Sequence, residues 1–287
     1  MRSDKAASQG LMQTMATDYP QNRANGRLRT FLHSPIFDIS QFLLLVALFG
    51  WCMKYNAENI GYNWQWYRIP HYLFSAGESG LTAGPLVEGL KVTLQISLIS
   101  LLLALLIGLV TALFRLSNSF VARGLAIIYL ETSRNTPLLI QIFFIYFVLG
   151  PMLGLERMAA AILALSLFEG AYTSEIFRSG IESVDRGQVE AARSIGLTPF
   201  ATYRHIIIPQ AIRTVLPPLT SQAISLVKDS ALVSTIAIYD LTMQGQSLIA
   251  ESYLTFEIWF TVAAMYLTIT LFLSVVVGIM EKRLKLP

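Results

Sequence analysis

Residues 89–114 limit this chain more than any other stretch. They form one long apolar run with a single charge, Lys91, near its start and Arg115 directly after its end. A helix of about 20 mostly apolar residues covers the hydrocarbon of a bilayer, and only a structure that pairs its own peptide groups survives there. A chain built around such a run is a membrane protein. Weaker runs follow the same pattern at 39–53, 137–153, 158–172, 214–227 and 258–279. The run at 214–227 is interrupted by Lys228-Asp229-Ser230 and resumes weakly as far as Ile238; in chain order it is the fifth helix. With 54% hydrophobic and only 14% charged residues, the 287-residue chain suits one compact all-α, polytopic membrane domain of about six helices.

The remaining composition excludes several classes. A net charge of +3 without a basic stripe does not suit nucleic acid. Cys52 is the only cysteine, so there is no disulfide framework or thiolate site. His33, His71 and His205 lie far apart, without metal-ligand spacing, so no metal is expected. Neither a Ser–His–Asp set nor paired carboxylates mark a catalytic residue. A Gly-rich phosphate loop ending in Lys-Ser or Lys-Thr is missing, so this polypeptide should bind neither ATP nor Mg and need no cofactor of its own. The N-terminus has no apolar core or small-residue cleavage pattern, so it does not read as a cleavable signal.

Basic residues set the expected orientation. Arg23, Arg27 and Arg29, then Arg115 and Arg123, then Arg178, Arg186, Arg193, Arg204 and Arg213, then Lys282, Arg283 and Lys285 fall in one set of connections. The opposite set holds only Lys54, Arg68, Lys91 and Arg157, and residues 239–257 hold none. Positive charge stays on the side that is not translocated, so both termini should be cytoplasmic. The expected division is a cytoplasmic tail (1–37), a first helix (38–54), an extracytoplasmic loop (55–86) and a main domain (87–283). The Trp- and Tyr-rich stretch 62–67 suits the headgroup layer. Residues 55–87 and 239–257 read as loops, and Arg115 to Arg123 as a short connection.

The longest polar insertion of the second half contains the most informative segment, residues 185–209. Asp185 with Gln188 looks like a capping-box start, Ala191 and Ala192 favour helix with almost no side chain, and Gly196 suits a left-handed helix end. Thr198 offers a cap and Pro199 a first helical residue for a second helix, which Pro209 should break. The product is a helical knob whose base is anchored by Ile206 and Ile208, suited to docking in a partner's groove.

The pattern Glu190-Ala191-Ala192, three residues, Gly196, nine residues, Ile206, one residue, Ile208-Pro209 resembles the signature loop of ATP-binding-cassette importer permeases, with Ile208 where that family usually has leucine. The resemblance covers residues 87–283. Gly89 to Leu94, Arg134 to Gln141, Ala171 to Arg178 and Lys228 to Leu232 are similar to the polar amino acid permeases of the histidine, glutamine and glutamate group. It implies a five-helix type I core to which the first helix is added, in a bacterial cytoplasmic (inner) membrane. It implies that Glu190, Ala191, Ala192, Arg193, Gly196, Ile206, Ile208 and Pro209 couple the permease to a cytoplasmic ATPase dimer, which binds ATP and Mg. It further implies a second permease copy or paralogue and an extracytoplasmic amino acid binding protein.

Charges within a span mark the expected cargo route. Glu169, beside Gly170 and near Tyr172 and Thr173, is costly in lipid, and Lys228, Asp229 and Ser230 break the fifth helix. A carboxylate would attract the ammonium of a zwitterion, and Lys228 its carboxylate. Equally, Lys228 and Asp229 could neutralise each other or shape a gating loop, and Arg134, preceded by Glu131, could sit at the headgroup level. An importer for methionine, a phosphonate or another small solute, an ion-driven secondary transporter and a non-transporting membrane scaffold are the alternatives; only the importers need the 185–209 motif.

Overall fold

The computed structural model describes residues 35–77 and 80–284 and divides into two units, one ending at Trp64 and one beginning at Gln65. The basic residues expected in the tail, Arg23, Arg27 and Arg29, and the terminal Lys285 lie outside the described residues.

In the first unit, α1 spans Pro35–Ile60. The helix extends well past the expected 39–53, because nothing breaks it until Gly61, which turns the chain at φ +63°. Its central side chains, Phe42, Leu44 and Phe49 among them, are exposed on every face. A helix apolar all round is one made for a hydrocarbon surrounding.

The second unit opens with a 3₁₀ turn (Trp66–Arg68), a short α2 (Ile69–Leu73) and a hairpin of β1 (Phe74–Gly77) and β2 (Gly80–Ala83). The strands pair antiparallel with Ser75 opposite Thr82. The stretch expected to be a loop is therefore largely ordered. Then come α3 (Pro85–Leu116), α4 (Phe120–Asn135), α5 (Leu138–Phe143), a π-helical segment (Phe144–Leu149) and α6 (Gly150–Leu153). They are followed by α7 (Arg157–Glu182), α8 (Arg186–Ser194), α9 (Pro199–Thr202), a second π segment (Tyr203–Ile207) and α10 (Ile208–Asp229). A 3₁₀ segment (Ser230–Ile236), α11 (Leu241–Ser252) and α12 (Thr255–Leu284) complete the chain.

Several elements differ from the hydropathy reading. The connection after Arg115 is mostly the helix α4, and α11 occupies the expected 239–257 loop. Helix α7 does not lose its structure at Glu175 but runs on to Glu182, since Arg178 bonds both Glu175 and Glu182 along its own surface. Pro209 does not break the helix: the chain stays helical from Pro199 to Asp229, and the π segment at 203–207 opens the turn into which Pro209 has no donor to give. By length and composition α3, α7 and α12 can each cross a membrane; α4 and α5–α6 meet the same test only when taken together, as a pair bent by 111° that is either a broken span or a re-entrant loop. Helix α10 fails that test; it carries Pro217, Pro218, Thr220, Gln222 and Ser225, while its contacts are with α7 and α12.

The bend itself has a local cause. Thr136 is extended, as a residue before proline must be, and Pro137 caps α5 instead of entering it. The Gln141 side-chain amide donates to Ser133 O at 2.7 Å and Thr136 O at 2.9 Å, and so satisfies carbonyls that the break leaves open.

Packing centres on α3 against α7. Helix α3 buries Thr93, Ser97, Ser100, Ala104, Gly108 and Thr111, all small and spaced three or four apart. Helix α7 answers with Ala160, Ala161, Ala164, Gly170, Ala171 and Thr173. Such seams let backbones approach and replace the hydrophobic drive that lipid does not provide. Ile96, Ile142, Leu165, Leu226 and Val233 extend this core to α5, α10 and the 3₁₀ segment. A second cluster of Leu86, Leu241, Leu254 and Ile258 joins α3, α11 and α12.

A Cβ at Gly108 would stand 2.7 Å from Thr173 Cγ2 and 3.0 Å from the Gly170 carbonyl oxygen, so Gly108→Val must force α3 from α7. The expected cost is about 1–3 kcal/mol. Thermal unfolding of detergent-purified protein should show a lower midpoint for Gly108→Val and none for Gly124→Ala, whose surroundings are open.

Candidate functional site

Two places collect the residues singled out in the sequence. The first is the segment from α8 to the start of α10. Asp185 caps α8, with Oδ1 accepting from Gly187 N at 2.7 Å. The expected reciprocal capping box does not form: Gln188 instead accepts at Oε1 from Gln210 Nε2 at 2.6 Å, which ties α8 to α10. At the other end Leu197 N donates to Ala192 O and Gly196 N to Arg193 O, both at 3.0 Å, with Gly196 at φ +81°. This is a Schellman ending, which requires the left-handed residue that glycine adopts most cheaply. Thr198 then caps α9, accepting from Ala201 N at 3.3 Å, and Pro199 follows as its first residue.

The alanine pair divides its work. Ala192 is buried against the body of the segment and Ala191 is exposed, as are Glu190 and Arg193. The expected anchors need correction. Ile206 is half-buried, but Ile208 is exposed and Ile207 is the buried residue. The π segment 203–207 inserts an extra residue into its turn and so rotates the apolar face by one position. Around the turn, Ile195 (78% exposed) and Phe200 (74%) project outward with Tyr203. Sequence reading passed over them, although apolar residues flanking a Gly–Thr–Pro turn in a polar stretch were the available signal.

The second place lies on α7 facing α10. Glu169 is 1% exposed; Oε2 accepts from Gln222 Nε2 at 2.6 Å, while Oε1 has no hydrogen-bond partner among the described residues. Burying a carboxylate with half its acceptor capacity open is expensive, and the open side is where a cation or donor would be stabilised. Thr173 is buried one turn on, and Tyr172 is half-buried, its ring 5.1 Å from that of Phe168. Gln222 was missed because a lone amide among serines and threonines carries no charge to mark it.

The break after α10 is real but compact. Ser230 is buried and donates to Val227 O at 2.8 Å, beginning the 3₁₀ segment. Asp229 is half-buried, two helical turns from Gln222 and thus on the same face of α10. Lys228 is exposed, and no ion pair among the described residues includes it or Asp229. Arg134 is not free at the surface: it pairs with Glu175 at 3.4 Å. The elbow between α4 and α5 adds a cavity of about 490 Å³, lined by Tyr129, Thr132, Ser133, Thr136 and Gln141 with an apolar remainder and no charge.

Known proteins resemble this chain in sequence and in fold. Residues 104–286 match the family described as binding-protein-dependent transport system inner membrane component. The glutamine transport system permease protein of Escherichia coli K12 is 40% identical over 205 residues, covering 70% of this chain and 93% of that one. The probable glutamine ABC transporter permease protein of Bacillus subtilis strain 168 is 42% identical over 203 residues, covering 68% and 92%. A crystal structure of an amino acid ABC transporter with histidines superposes with a TM-score of 0.66 at 37% identity, over 69% of this chain and 94% of that one. The chain therefore belongs to the inner membrane components of binding-protein-dependent transport systems, as a permease of the ATP-binding-cassette type.

Proposed function

We propose that this permease carries a polar amino acid inward, along a route that passes Glu169, and draws its energy through the 185–209 segment from a separate ATPase. The observation that carries the coupling half is the rigid turn at Gly196, which holds Ile195 and Phe200 in solvent beside Glu190 and Arg193. Two exposed apolar side chains on a capped, cross-tied helix pair are the anchors a groove would take. Ala191, exposed and nearly without a side chain, allows that groove to approach the backbone.

The cargo half rests on Glu169 with Gln222. An amide holds one carboxylate oxygen and leaves the other directed at a passing ammonium group. Asp229, on the same face of α10, reinforces the preference for a cation, with Thr173 and Tyr172 alongside; Ser230 sets the 3₁₀ turn that places the end of α10. Lys228, being exposed, is assigned to the route's edge. The names of the relatives, glutamine permeases and an amino acid transporter, support the same cargo class.

The working assembly consists of this chain, a second copy or a paralogue, a cytoplasmic ATPase dimer holding ATP and Mg, and an extracytoplasmic binding protein for the amino acid. The chain itself holds no cofactor. In this reading there are six spans, α1 and α10 being the two that the length and apolar composition of the helices do not by themselves grant, and both termini are cytoplasmic. The tail precedes α1, α1 (Pro35–Ile60) is the added helix, the segment from Gly61 to Gly84 is extracytoplasmic, and the permease domain follows from α3 onward.

Two measurements test the halves separately in reconstituted vesicles. Glu169→Gln should raise the KM for amino acid uptake about tenfold, the loss of one charge-assisted hydrogen bond, without loss of assembled complex. Unchanged KM, rate and substrate preference would remove Glu169 from the route. Glu190→Lys and Gly196→Pro should leave insertion intact but abolish co-purification of the ATPase or its link to uptake; normal uptake in both would refute the docking role.

A further inference from the structure

The densest charge cluster of the described residues is not on the cargo route. Glu175 receives guanidinium groups from three helices: Arg115 at the end of α3, Arg134 at the end of α4 and Arg178 on α7 itself. Oε1 accepts from Arg115 Nη1 and, at 3.4 Å, from Arg134 Nη1. Oε2 is held in fork geometry by Arg178 Nε at 3.1 Å and Nη2 at 2.8 Å, and Arg178 also bonds Glu182. Arg115, Arg178 and Glu175 are each about a quarter exposed, so this cluster is shielded more than a surface ion pair. A carboxylate whose two oxygens are held by charge-assisted bonds from three guanidinium groups is fixed in position as well as in charge.

Its position gives it a task. From Glu175 the α7 helix runs without a break to Glu182 and enters α8 after only Ser183, Val184 and Asp185. On the way Gly180 lies so close to α10 that an added Cβ would clash with Val215 Cγ2. The 185–209 segment is thus strung between two helices that touch at its root. A push on it has no slack in which to dissipate; it moves the end of α7, and Glu175 is where that end is bound to α3 and to α4. Helix α4 leads directly to the 111° elbow.

We infer that Glu175 is a positioning residue that passes displacement of the 185–209 segment to α3 and α4, and so sets how much cargo moves per ATP hydrolysed. This rests on the docking reading above. The test uses the whole complex in vesicles with its binding protein, and measures amino acid uptake and ATP hydrolysis on the same sample. Glu175→Gln should keep the ATPase bound and hydrolysing at its basal rate, while the uptake-to-hydrolysis ratio falls about fivefold, within the range that altered coupling networks produce. Glu175→Asp should recover part of that ratio. Arg134→Gln, which touches only the longest bond of the cluster, should lower it about twofold. A ratio equal to wild type in Glu175→Gln, whether or not both rates fall together, overturns the inference. If Glu175→Gln does not assemble, an unchanged ratio in Arg134→Gln overturns it and a lowered one supports it. A failure of the docking reading is separable: it would show as an ATPase still bound and coupled in Glu190→Lys, whereas the ratio is read only on complexes that hold the ATPase.

Discussion

Everything in the second unit depends on how closely α3 can lie against α7. Within lipid, two apolar helices gain little by leaving hydrocarbon for each other, so contact distance decides whether they associate. Glycine, alanine, serine and threonine along both faces bring the backbones together. Several of their hydroxyls are satisfied locally: Ser97 returns its proton to Thr93 O at 2.7 Å and Ser166 to Ile162 O at 2.5 Å within their own helices. Ser100 reaches across to Ile162 O at 3.4 Å. With that seam fixed, the depth and facing of every other α7 side chain follow, including both of its buried or half-buried carboxylates.

Features set by short-range chemistry were legible in the sequence. Asp185, Gly196, Thr198 and Pro199 each do locally what their chemistry dictates, and the α3 span follows from its apolar length. Features set by packing were not. Hydropathy reports lipid contact, not helicity, so it passed over α4 and α11, which are short and interleave polar with apolar residues. It also ended α7 early at charges that in fact pair along and across the helix. The exchange of Ile207 for Ile208 as the buried residue arose from one inserted residue in a π turn, which no period of 3.6 anticipates.

The two carboxylates of α7 show how one helix can carry a route and a linkage. Glu169 and Glu175 are six residues apart, about 9 Å along the axis. Glu175 has both oxygens saturated by guanidinium groups, so nothing mobile competes for it and its energy goes into holding three helices in register. Glu169 has a single amide partner and an open oxygen, so its remaining capacity is available to something that arrives and leaves. Exchanging the two environments would spoil both tasks. Three arginines around Glu169 would repel an ammonium group, and a lone amide at Glu175 would let α3 and α4 slip against α7. Under the proposed route, with the seam against α3 making α7 a rigid spacer, movement of the 185–209 segment would reach Glu169 as a shift of the whole helix. Its open oxygen would then meet α10 differently in each position, which is the condition for holding cargo in one state and releasing it in the other.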